Sequence, residues 1–235
     1  MTASPHGPAL DRVATVARAL SDLRSEVVFI GGAIAPLLQI DPPFLEARIT
    51  SDVDAVTATH KYLDSERLRE RLQELGFRQN PAEAKHAHRW RDPSGIPFDL
   101  VPTGKHLGAI DNRWDVLGIE TAIEASLREG VSIRHVTAPV FLAQKWAAHH
   151  DRGAADPWGS HDLEDILALL VSRPSLVAEI AKAPPELRSY VAAQARDFLS
   201  DPHAEDLMAG HLNNAQDREA AIDRVRDALQ RLASV

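Results

Sequence analysis

VVFIGGAIAPLLQ (Val27–Gln39) joins four apolar residues to the pair Gly31-Gly32 and then to a helix-forming run. Val27–Ile30 predicts a short buried strand, and Ala33–Ile40 predicts a helix with Pro36 in its first turn, where a missing N–H does least harm. Glycines at such a junction let the backbone approach a ligand closely, and the helix start turns free N–H groups toward the same point. A triphosphate suits that corner. A plain tight turn between a strand and a helix explains the same residues.

The segments that follow bear on the choice. Arg48–Thr57, RITSDVDAVT, alternates and is rich in β-branched residues, so it is expected to be a strand. Residues i and i+2 of a strand share a face, which sets Asp52 beside Asp54 and turns Val53 into the core. Adjacent carboxylates repel, and a hard divalent cation, Mg²⁺ or Mn²⁺, relieves the repulsion. A solvated edge strand with two exposed acids is the plainer alternative. Asp99 is a lone charge inside the apolar run Ile96–Val101. Burying it is costly unless it is paired or binds a metal; an edge position facing water is its alternative. Three carboxylates on neighbouring strands would hold two metal ions, an arrangement suited to in-line phosphoryl or nucleotidyl transfer.

Around these lie ordinary elements. Residues 9–24 carry apolar positions at helical spacing, and Asp64–Leu75 predicts a charged amphipathic helix ending at Gly76. His86–Arg91 and Ile96–Val101 predict a hairpin around Asp92-Pro93-Ser94-Gly95. Beyond about residue 115 the sequence predicts helices only, at 118–129, 138–150, 162–172, 175–182, 185–199 and 216–233. The expected fold class is α+β: a small mixed sheet with helices in residues 1–110, then an all-helical lobe in residues 111–235.

Gly-Gly at the end of a strand, Asp-x-Asp on the next and a single Asp on a later one resembles the nucleotidyltransferase superfamily of DNA polymerase β. In that family the glycines hold nucleotide phosphates, the three acids bind metal ions, and the third acid helps activate the attacking hydroxyl. The resemblance thus assigns Gly31 and Gly32 to the phosphates, and Asp52, Asp54 and Asp99 to the metals. Ser51, beside the first acid, would touch phosphate. The 19 residues between Gly32 and Asp52 exceed the usual separation, and the excess falls in Asp41–Glu46, read as a loop insertion.

The helical half carries a second resemblance. Lys145 lies on the apolar run Val140–Ala148, Arg152 follows, and His161-Asp162-Leu163-Glu164-Asp165-Ile166 opens a further helix. This looks like the AbiEii-like abortive-infection toxin branch of the same superfamily, with His161 where Lys or Arg is more usual. The resemblance makes Lys145 a cation for the triphosphate and places Asp162 at the nucleotide. A lysine snorkelling from a packed helix, and acids serving a helix dipole, are the alternatives. Together the resemblances span roughly residues 27–172.

Composition narrows the partners. The 235-residue chain has no cysteine, which excludes disulfides, thiol catalysis and thiolate metal sites. Its formal charge of −8 opposes a broad grip on nucleic acid, although Lys85–Arg91 is locally basic. No apolar run is long enough for a membrane helix, and the start MTASPHGPAL lacks the layout of a secretion signal, so a cytoplasmic protein without membrane contact is expected. His86-x-His88 and His149-His150-Asp151 lack the spacing of a known zinc hydrolase signature, and the four tryptophans are expected in the core or at a lobe interface.

The combined expectation is a metal-dependent nucleotidyltransferase that moves an NMP from an NTP to an acceptor, in a cleft between its two lobes. The acceptor is left open among tRNA, a protein side chain and a small molecule. The resemblance further implies a toxin–antitoxin or phage-defence component with a cognate antitoxin protein. The competing readings are a catalytically inactive binding protein of the same fold and a glycosyltransferase whose DxD holds a metal.

Overall fold

The computed structural model describes residues 7–40, 50–58, 62–79, 88–103 and 112–235. The loop Asp41–Glu46, together with Lys85 and His86, lies outside them. The chain divides into two compact units, Met1–Leu37 with Ile49–Thr137, and Leu38–Arg48 with Ala138–Val235.

The first unit is built on a six-stranded mixed sheet. Helix α1 (Pro8–Ala19) starts on a proline, whose fixed φ suits a first helical turn, and buries Leu10, Val13, Ala14, Val16 and Ala17. Strand β1 (Val27–Ile30) follows a short 3₁₀ segment. The chain then turns at Gly31 and runs through a second 3₁₀ turn (Gly32–Ile34) into the four-residue helix α2 (Ala35–Leu38). Strand β2 (Val53–Ala58), helix α3 (Tyr62–Glu74), strands β3 (Arg89–Arg91) and β4 (Pro97–Thr103), helix α4 (Asp115–Glu120), and strands β5 (Ile123–Ser126) and β6 (Ser132–His135) complete it.

The strand order is β3-β4-β2-β1-β6-β5. β1 runs antiparallel to β2 and parallel to β6, and β2 runs parallel to β4. A parallel neighbour needs a long connection, and α3 lies in the one between β2 and β4. Val27, Val28 and Phe29 are fully buried because β1 has neighbours on both edges.

The hairpin β3–β4 forms as expected. Asp92 fixes its turn: the buried carboxylate accepts the N–H groups of Ser94 (2.9 Å) and Ile96 (2.7 Å), an Asx-type bond pattern. Gly95 takes a φ of 93°, a region that favours glycine.

Two expectations are corrected here. Residues 118–129 are not a helix: α4 ends at Glu120, and β5 and β6 follow as an antiparallel pair. β6 adds this pair to β1, so the sheet-bearing unit runs to Thr137 rather than ending near residue 110. In addition, β2 starts at Val53, so Asp52 lies just outside the strand that was expected to carry it.

The second unit contains helices α5 (Ala138–Ala148), α6 (His161–Ser172), α7 (Leu176–Ala181), α8 (Pro185–Ser200), α9 (Ala204–His211) and α10 (Arg218–Leu232). A π-helical turn, His149–Gly153, extends α5. Ser160 caps α6 by accepting the Leu163 N–H at 3.2 Å, and Asp217 caps α10 by accepting the Ala220 N–H at 3.0 Å. Trp146 packs against Phe198 with ring centroids 5.9 Å apart. Trp90, Trp114 and Trp146 are core residues, whereas Trp158 is 54% exposed. Among the described residues no helix is long and apolar enough to cross a membrane.

Candidate functional site

The sheet brings the dispersed motif residues of the first unit together. Ile30 pairs with Asp54, Asp54 with Asp99, and Asp99 with Arg89. One line across four strands thus runs from the glycine corner through two acids to an arginine.

Gly31 has a φ of 74°, and the Asp54 side chain lies over its Cα. A Cβ on Gly31 would overlap Asp54 Oδ2 and stand 2.9 Å from Cγ. A glycine is therefore required twice, by the backbone angle and by the carboxylate beside it. The helix after the corner is shorter than expected, since only the Gly32–Ile34 turn and four-residue α2 follow. The corner thus offers backbone N–H groups more than the dipole of a long helix.

Asp99 is buried, at 8% exposure, because β4 is flanked by β2 and β3. The edge position facing water is overturned. Its charge is answered by Arg89, whose Nε and Nη2 donate to Oδ1 and Oδ2 at 3.1 and 3.0 Å. Such a two-pronged pair is the strong geometry for arginine and carboxylate. Asp52 accepts a hydrogen bond from Thr50 Oγ1 at 2.5 Å. Ser51, Asp52, Arg89, Arg91 and Asp99 line a cavity of about 190 Å³ within this unit.

No three His, Asp or Glu side chains among the described residues converge as a ready-made metal cage. The donor set still fits one kind of ion. Mg²⁺ commonly takes one or two carboxylates together with substrate phosphates, instead of an all-protein cage. Asp54 and Asp99 on adjacent strands, with Asp52 two residues before Asp54, suit an ion that arrives with a nucleotide.

In the second unit Lys145, Arg152, Asp162 and Asp165 come together. Lys145 Nζ lies 3.0 Å from Asp162 Oδ1 and 2.6 Å from Asp165 Oδ2. Arg152 donates from Nε and Nη2 to the two oxygens of Asp162 at 2.8 and 3.0 Å. Two cations thus meet two carboxylates, and the cluster closes its own charge. Lys145 is buried with 8% of its side chain exposed, so it does not snorkel to water, whereas Arg152 is 72% exposed. Burial opposes a charged Lys145, but Asp165 and Asp162 outweigh it and hold its pKa above the ordinary lysine range. Burial likewise opposes a charged Asp162; hydrogen bonds and charge from Arg152 and Lys145 win and lower its pKa.

Two partners of these residues escaped the sequence. Arg89 was visible only as part of a basic stretch, yet counting outward from the turn at 92–95 would have set it opposite Asp99. His149 bonds Ser160 Oγ through Nδ1 at 2.8 Å, and no sequence signal links the two. His150 pairs with Gln194. His149 and His150 thus have hydrogen-bonding roles, and His86 lies outside the described residues.

No family model and no curated protein matches the sequence. Among solved structures the chain is similar to an antigenic nucleotidyltransferase-like protein from Paracoccidioides brasiliensis, at 18% identity and a TM-score of 0.46, over 86% of this chain and 91% of that one. It is also similar to JHP933 from Helicobacter pylori, at 14% identity and a TM-score of 0.48, over 98% of this chain and 94% of that one.

Proposed function

We propose that this chain is a nucleotidyltransferase, binding an NTP at the Gly31-Gly32 corner and passing its NMP to an acceptor. The observation that carries the reading is the packing of Asp54 against Gly31. Glycine corner and carboxylate are far apart in sequence, and the fold seats them in contact on the line that also holds Asp99. Phosphate groups need backbone N–H donors and a counter-charge at one point, and this arrangement supplies a place for both.

In this reading Gly31 and Gly32 admit the phosphates to the backbone, and Ser51 donates to them. Asp52, Asp54 and Asp99 would hold Mg²⁺ or Mn²⁺, which supplies charge neutralisation on the phosphates when bound. Asp99 orients the acceptor hydroxyl and takes its proton. The resemblance also assigns Lys145 and Asp162 to the nucleotide. Lys145 is engaged by Asp162 and Asp165, and Arg152 by Asp162.

The test is transfer of label from each radiolabelled NTP, with Mg²⁺, to components of a cell extract. Asp52→Ala and Asp54→Ala are expected to abolish labelling while the far-ultraviolet circular dichroism stays unchanged. Full transfer by both variants would refute the reading. The labelled component identifies the acceptor; a toxin–antitoxin or phage-defence role is part of the proposal, and growth arrest that needs Asp54 tests it.

The second reading, a catalytically inactive binding protein of the same fold, draws support from Arg89, which occupies both oxygens of Asp99. NTP binding that calorimetry finds independent of Mg²⁺, without any transfer, favours it.

A further inference from the structure

Arg89 and Asp99 are unequal partners. The acid side chain is 12% exposed and fixed in the interior of the sheet, whereas the Arg89 side chain is 43% exposed on the outer strand β3. The guanidinium is therefore the partner able to swing away. It also lines the cavity that holds Asp52 and Ser51, with the second guanidinium of Arg91 beside it. Arg91 Nη1 donates to Gly95 O at 3.1 Å, which ties it to the hairpin turn.

We propose that Arg89 is a resident counter-ion that holds Asp99 closed in the absence of ligand and leaves it for a phosphate group when a nucleotide enters with its cation. The proposal rests on the reading of Asp52, Asp54 and Asp99 as cation-holding residues. A carboxylate offers two oxygens, and Arg89 engages both. A divalent cation on Asp99 needs at least one of them and repels the guanidinium at the same time. Phosphate oxygens accept the same two-pronged geometry from arginine that a carboxylate does, so the nucleotide offers Arg89 a replacement partner. The exchange is a change of ion-pair and hydrogen-bond partners only; no covalent bond is made or broken. Arg89 is thus a positioning residue that makes cation binding depend on nucleotide binding.

The experiment is Mn²⁺ binding by the full chain, followed by electron paramagnetic resonance, with and without a non-hydrolysable NTP analogue. Wild type is expected to bind Mn²⁺ weakly alone and tightly with the analogue. Arg89→Ala is expected to bind Mn²⁺ alone roughly tenfold more tightly than wild type, because it removes a like charge beside the cation and frees both oxygens of Asp99. The double variant Arg89→Ala/Asp99→Asn should lose that gain. If Arg89→Ala fails to fold, Arg89→Gln provides the same comparison, since it too removes the charge and the two-pronged contact. Equal Mn²⁺ affinity of wild type and a folded Arg89 variant without nucleotide, alongside tight binding by wild type with the analogue, overturns the role of Arg89 and leaves the proposed function standing. Failure of every variant and of wild type to bind Mn²⁺, with or without the analogue, overturns both.

Discussion

Asp54 lies so close over Gly31 that no side chain fits between them; a Cβ at Gly31 would stand 2.9 Å from Asp54 Cγ and overlap Oδ2. Two kinds of strain would then add in Gly31→Ala. The backbone at φ 74° and ψ −173° is a region essentially reserved for glycine and costs another residue about 1–3 kcal/mol, and overpacking adds about 1–3 kcal/mol. The variant is expected to lose stability on that scale and to lose nucleotide binding with it. Placing Gly31→Ala in an Asp54→Ala background removes the overlap with the carboxylate and keeps the backbone strain and the 3.0 Å contact with the Cβ of residue 54. Equal destabilisation in both backgrounds, measured by urea unfolding, would show that the carboxylate contact carries no strain.

Lys145→Met tests the buried charge cluster. It removes one cation and leaves Asp162 and Asp165 facing each other in the interior, a change that typically costs about 3–5 kcal/mol. Adding Asp165→Asn should restore part of the loss. The pH limits follow from the shifts. Lys145 has a raised pKa, so its contribution is whole below 10.5 and fades as pH rises through the higher folded value. Asp162 has a lowered pKa, so its contribution is whole above 3.8 and fades as pH falls through the lower folded value. Between these limits the contributions of Lys145 and Asp162 are constant, and chemical denaturation across pH should show each fading only beyond its own limit. A wild-type profile with no alkaline decline attributable to Lys145, judged against Lys145→Met, contradicts the pairing.

His149 sets a nearer limit on the acid side. Burial chiefly, then the charges of His150 and His211, lower its pKa below 6.5, although Asp162 pulls the other way. The unfolded chain takes up the proton first, so stability is full above 6.5 and declines as pH falls toward the lower folded value. His149→Gln keeps a hydrogen-bonding group for Ser160 and should flatten this decline. Thermal melts between pH 5 and 7 decide it, at roughly the range in which histidine titrates; an unchanged slope in the variant would place the titrating group elsewhere.

The acids proposed for the site stood out in the sequence because each breaks a local pattern. Asp99 interrupts an apolar strand, and Asp54 shares β2 with buried Val53, Ala55 and Val56. Glycine followed by glycine after Val27–Ile30 marked the corner, and the sheet pairing places it beside Asp54. The position of Asp52 was misread because its bond to Thr50 is a local side-chain contact that competes with strand pairing. β5 was read as helix because it is an outer strand of only four residues, Ile-Glu-Ala-Ser, whose alternation in polarity is too brief to stand out and whose burial does not alternate. Long-range partners such as His149 and Ser160 depend on how α5 and α6 pack, which no local spacing encodes.

Leu38–Arg48 groups with the helical unit although it comes early in the chain, and the chain passes between the units after Leu37, after Arg48 and again after Thr137. Ile40 N–H donates to Ser172 O, and Leu38 O accepts from Arg173 Nη1. A truncation at Thr137 would leave both of these early residues without their partners. No single scission separates the units, and neither is lost whole by one deletion. Each unit therefore depends on chain drawn from two separate stretches of the sequence.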